Sequence, residues 1–85
     1  MMKLVYIEWI DSFGCSTTWT EIKEIAPELL VCVSVGFLAY DGEDCKVIVP
    51  HISQENHRHS EQQGCGDMCI PTVAVKKMIE LQRPQ

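Results

Sequence analysis

The residues best suited to chemistry sit close together in the second half of the chain: His51, then His57-x-His59, then Cys65-x3-Cys69. Imidazole nitrogen and thiolate sulfur are the donors that tetrahedral zinc prefers, so these five residues form a candidate metal centre. The spacing argues against it. Zinc sites separate their histidines by three to five residues, whereas one residue separates His57 from His59. Cys69 also lies within Met68-Cys69-Ile70, where a small thiol packs as an ordinary apolar side chain. A solvated loop carrying incidental histidines is the preferred reading, and no metal is expected.

A cysteine nucleophile is the second chemical candidate, with Cys15 near Asp11 in a turn and His51 at a strand end. Such a site needs thiolate and imidazole within hydrogen-bonding reach of each other, beside donors for an oxyanion. None of the local signatures of cysteine hydrolases surrounds Cys15. Glu8 and Asp11 do not make an acid–base pair, because three residues along a strand and its exit place two carboxylates in no defined relation. Gly64-Cys65-Gly66 lacks the strand-to-helix context and the basic residue of a phosphate loop. No catalytic residue and no cofactor is assigned. A binding site is the remaining option, and its candidate residues are Trp9, Asp11, Ser12, Trp19 and His51: two flat aromatic rings with a few polar groups. Trp9 and Trp19 each fall in phase with apolar neighbours, Ile7 and Ile22, so at least one is expected in the core.

Eighty-five residues support one domain, spanning 1–85, with a single hydrophobic core. The content is 46% hydrophobic and 22% charged, which is globular rather than disordered. So small a core needs additional support, and self-association into a homo-oligomer is the expected source. The formal net charge of −5 and the scattering of seven Lys and Arg residues disfavour non-specific nucleic-acid binding. Glu8 and Asp11 interrupt the first apolar run too early for a signal peptide, and no run approaches the length of a membrane span. A cytoplasmic location is expected, with Cys15, Cys32, Cys45, Cys65 and Cys69 as free thiols.

The elements that would position these residues follow from apolar periodicity. Residues 3–10 alternate as a first strand with Val5, Ile7 and Trp9 on one face. Thr18 and Glu21 stand in capping-box spacing and predict a helix of about two turns, closed by Pro27, with Trp19, Ile22 and Ile25 on its buried side. Residues 29–40 predict the central strand, with Gly36 marking a bend or bulge that lets one strand serve both halves of a small barrel. Asp41-Gly42 predicts a tight hairpin turn through positive φ, and a return strand runs from Asp44 to about Ile52. Residues 53–66 are polar and predict a loop. Met68-Cys69-Ile70, a turn at Pro71 and a final strand over 73–81 complete the chain. The expected fold is mostly β: a five-stranded SH3-like or Sm-like barrel with one short helix after the first strand, or alternatively an open α+β sheet.

Ile7-Glu8-Trp9-Ile10-Asp11-Ser12, Trp19, Ser34-Val35-Gly36-Phe37, Val49-Pro50-His51 and Gly66-Asp67-Met68-Cys69-Ile70-Pro71 together resemble a set of small phage-encoded proteins of unknown function. The resemblance implies a role in host takeover or counter-defence, exercised by binding a host protein or sequestering a nucleotide signal in the host cytoplasm. An Sm-like or SH3-like nucleic-acid or assembly module, and a structural component of the virion, are the alternatives.

Overall fold

The computed structural model describes residues 2–14, 16–54 and 61–84. Seven strands form: β1 (Leu4–Asp11), β2 (Leu30–Asp41), β3 (Cys45–Val49), β4 (His51–Ile52), β5 (Gly64–Cys65), β6 (Met68–Pro71) and β7 (Val75–Leu81). Five of them make one antiparallel sheet in the order β6-β3-β2-β1-β7, and β4 and β5 pair as a separate ribbon. The sheet does not close into a barrel, because β6 and β7 remain its two edges, joined through a 3-10 turn at Thr72–Ala74. Among the described residues no helix is long and apolar enough to cross a membrane.

The alternation seen in the first strand becomes the core. Val5 and Ile7 are buried with Ile48 and Ile70, and Trp9, Leu38, Met68, Ala74 and Val75 pack around them. Trp9 satisfies its indole by donating to Ser34 Oγ at 3.0 Å, a diagonal neighbour on the same face of β2. The β4–β5 ribbon lies over Val49, which is why that residue is buried although it faces away from the main core.

β2 serves two neighbours in turn. Leu30–Phe37 pair with β1, whereas Phe37–Asp41 pair with β3, with a bulge between Leu38 and Tyr40. Gly36 stands just before the exchange and is buried. A Cβ there would lie 3.2 Å from the Val49 carbonyl oxygen and 3.3 Å from Ile48 Cβ, so the bare backbone is what lets β3 approach.

Three expectations are corrected. Among the described residues the helix after β1 is absent, and 12–14 and 16–29 instead form an extended arm containing one 3-10 turn at Ile22–Glu24. Its N-cap position, Glu21, makes no side-chain capping bond, and Trp19, Ile22 and Ile25 are exposed. A helix this short gains too little from its own hydrogen bonds, and no sheet face meets it to bury the apolar side. The Asp41-Gly42 hairpin exists but without positive φ, which occurs among the described residues only at Gly14 and Gly66. The Gly42 amide donates to the Cys45 carbonyl, and its own carbonyl accepts from Lys46 Nζ at 3.2 Å and Thr72 Oγ1 at 3.0 Å. Lys46 also pairs with Asp41. Finally, the polar stretch 53–66 ends in a strand, since Gly64 and Cys65 pair with Ile52 and His51.

The molecule has an elongated outline of 61 × 25 × 24 Å and a radius of gyration of 17.5 Å, against about 12 Å for a compact domain of this length. Its accessible surface is 7051 Å², where a compact monomer of 9.7 kDa exposes about 5,100 Å². Phe13, Trp19, Ile22, Ile25, Leu29 and Val73 are among the large apolar side chains left exposed.

Candidate binding surface

The five candidate binding residues are not gathered into one site. Trp9 belongs to the core wall through its bond to Ser34. Asp11 ends β1 in solvent, where its Oδ1 accepts from the Ser12 amide at 2.8 Å, a local bond that shapes the start of the arm. Trp19 lies out on the arm and is wholly exposed. His51 is exposed on the β4–β5 ribbon. Of the four clearest clefts, one is lined by any of these five, and by Trp19 alone.

The chemical candidates fare as follows. Cys15, His57 and His59 lie outside the described residues. Among the described residues no three His, Cys, Asp or Glu side chains converge as a metal site. His51 and Cys65 are direct register partners on the ribbon, a pairing that the loop expectation for 53–66 hid. Both are exposed to solvent, and neither lines any of the four clefts found among the described residues. Cys69 lies diagonally across from Cys45 on the β3–β6 pair. Side-chain hydrogen bonding with Cys69, followed by desolvation and by the charges of Cys69 and Asp44, raises the Cys45 pKa above its ordinary value, with Lys46 opposing. A raised pKa depletes thiolate at neutral pH, so Cys45 is the poorer nucleophile of its class.

What the chain does present is apolar surface on the arm. Phe13, Trp19, Ile22, Ile25 and Leu29 are all more than half exposed. They alternate with acidic groups, Glu21, Glu24 and Glu28, against the single base Lys23, whose ammonium stands 3.8 Å from Glu21 in solvent. Two open clefts run along this segment. The first is walled by Ser16, the threonines 17, 18 and 20, Trp19 and Ile25; the second by Phe13, Ile25, Glu24 and Glu28 among others. Neither has a lysine or arginine in its wall. Helical spacing predicts a buried face for three of these, Trp19, Ile22 and Ile25; the spacing is real, and the burial is missing.

No family model, curated protein or solved structure matches the chain.

Proposed function

We propose that the chain is a non-enzymatic binding protein of the phage type, acting in host takeover or counter-defence by seizing a host protein with its 12–29 arm. The observation that carries this reading is the wholly exposed Trp19 with the largely exposed Ile22 three positions on, framed in sequence by Glu21, Glu24 and Glu28. Exposed apolar patches rimmed by polar residues mark protein-interaction sites, and tryptophan is one of the residues enriched among their anchors. The acidic frame suits a partner whose groove has basic edges. A nucleotide signal is the weaker ligand. Phosphates call for cations or a helix N-terminus, and the arm clefts offer hydroxyls and carboxylates. The strand order, with its 3-10 turn between β6 and β7, supports reading the fold as an SH3-like or Sm-like barrel left open along one seam.

Mass spectrometry under native conditions on the protein purified from producing cells tests the reading. A stoichiometric protein companion is expected, and the double substitution Trp19→Ala with Ile22→Ala should strip it away. Losing an anchor of this kind costs about 2 kcal/mol, close to thirty-fold in affinity. A nucleotide-sized companion that survives the substitutions would defeat the proposal.

A further inference from the structure

The sheet carries a second uncovered apolar surface, separate from the arm. Register places Val35, Tyr6 and Ile79 in one row across β2, β1 and β7, Val33, Glu8 and Lys77 in the next, and Val31 beside Ile10 in the third. All of these side chains lie on the side opposite the core residues Val5 and Ile7, by the two-residue period of a strand. An antiparallel sheet with one face in water normally sets polar residues there. Here β2 sets Val31, Val33 and Val35, exposed to 49%, 53% and 50%, and β7 adds Ile79 at 41%.

We infer that this face is the seat of a second copy of the chain, packed sheet on sheet about a two-fold axis that passes near Val33. Three features select a second copy over any other occupant. The first is charge: the chain carries −5 overall, yet the rows of this face set Glu8 and Lys77 opposite each other in the ladder, with Arg83 over the Phe37 ring further along the same side, so a two-fold arrangement offers the acid of one copy to the bases of the other. The second is shape. Rows of β-branched residues on a pleated surface interdigitate with an identical surface, as the two halves of a β-sandwich do at a spacing of about 10 Å. The third is area. A standard interface takes about 800 Å² from each partner, and this face offers three adjacent strands over three successive ladder rows for it. Tyr6 helps to define the centre of the face, since its hydroxyl donates to Glu8 Oε2 at 3.5 Å and keeps that carboxylate among the valines.

Sedimentation velocity at micromolar concentration tests the inference on the full chain. The wild type should sediment at twice the chain mass. Val33→Glu and Val33→Lys, each checked for a native circular-dichroism spectrum, should each sediment at the single-chain mass, a two-fold drop. An equimolar mixture of the two should regain the doubled mass, because opposite charges then meet across the axis, and regaining it also shows that both variants are folded. Trp19→Ala should leave the mass doubled. A wild type that is monomeric, a folded Val33→Glu that remains a dimer, or a dimer lost with Trp19→Ala but kept with Val33→Glu would each overturn the inference. None of these results depends on whether the arm captures a host protein.

Discussion

Ile7→Ala is expected to lower the urea midpoint of unfolding further than any substitution on the arm. Ile7 is completely buried in the middle of β1, between Ser34 and Met78 in the ladder and against Val5, Ile48 and Ile70 in the core. Removing its three outer carbons forfeits their transfer free energy and leaves a cavity that a sheet pinned on both sides of β1 cannot close. The cost is about 2 to 5 kcal/mol. A domain of 85 residues has about 4 to 13 kcal/mol in total, so the loss consumes much of the margin. Urea titration followed by circular dichroism measures it. Ile22→Ala, on the arm, provides the comparison and should move the midpoint by less than about 0.5 kcal/mol equivalent. If Ile22→Ala cost more than Ile7→Ala, the core would have to lie elsewhere.

Gly36→Val is the second large effect, and its cause is backbone rather than side-chain burial. A Cβ at this position already meets the Val49 carbonyl and Ile48 Cβ closer than most real Cβ contacts. Those atoms belong to β3 itself, held in the ladder to β2 and β6, so relief requires moving a strand. Two further methyl groups have no space, and overpacking of this kind costs about 1 to 3 kcal/mol or more. The same denaturation experiment should place Gly36→Val near Ile7→Ala. Gly42→Ala makes the contrast: its Cβ would run into the Tyr40 ring, but Tyr40 is more than half exposed and can swing aside, so little stability is lost. Equal losses at the two glycines would show that the exchange of β2 between its neighbours is not what Gly36 permits.

The parts of the fold legible in the sequence are those written in local alternation. Val5, Ile7 and Trp9 announce a buried face because a strand repeats every two residues, and the central strand follows from the longest apolar run, although its bulge falls between Leu38 and Tyr40 rather than at Gly36. The arm was misread for an equally physical reason. Trp19, Ile22 and Ile25 have the spacing of a helix face, and spacing records amphipathicity without recording whether a surface exists to receive it. The ribbon between His51 and Cys65 left no trace, since two-residue strands have no period. Trp9 and Ser34 are 25 positions apart, so only the register of β1 on β2 joins them. The candidate binding residues were chosen for type and nearness to turns, and the fold sends Trp9 inward, Trp19 outward and His51 onto a separate ribbon.

The valine face was the signal left unused. Val31, Val33 and Val35 were legible as one side of β2, and Cys32, Ser34 and Gly36 as the other. The assumption that the more apolar side must be the buried one assigns the core wrongly. The smaller side faces the core because Ile7 and Trp9 of β1 already fill the space above it.

The claim on which the account rests is that the arm, rather than an enclosed pocket, is the working surface. It is tested most directly by photocrosslinking in producing cells, with a benzoylphenylalanine installed by Trp19→benzoylphenylalanine and, as a control, by Lys3→benzoylphenylalanine at the far end of β1. The account predicts a single heavier adduct with one cellular protein from position 19 and none of that mass from position 3. Adducts that are absent at 19, or the same from both positions, would contradict it.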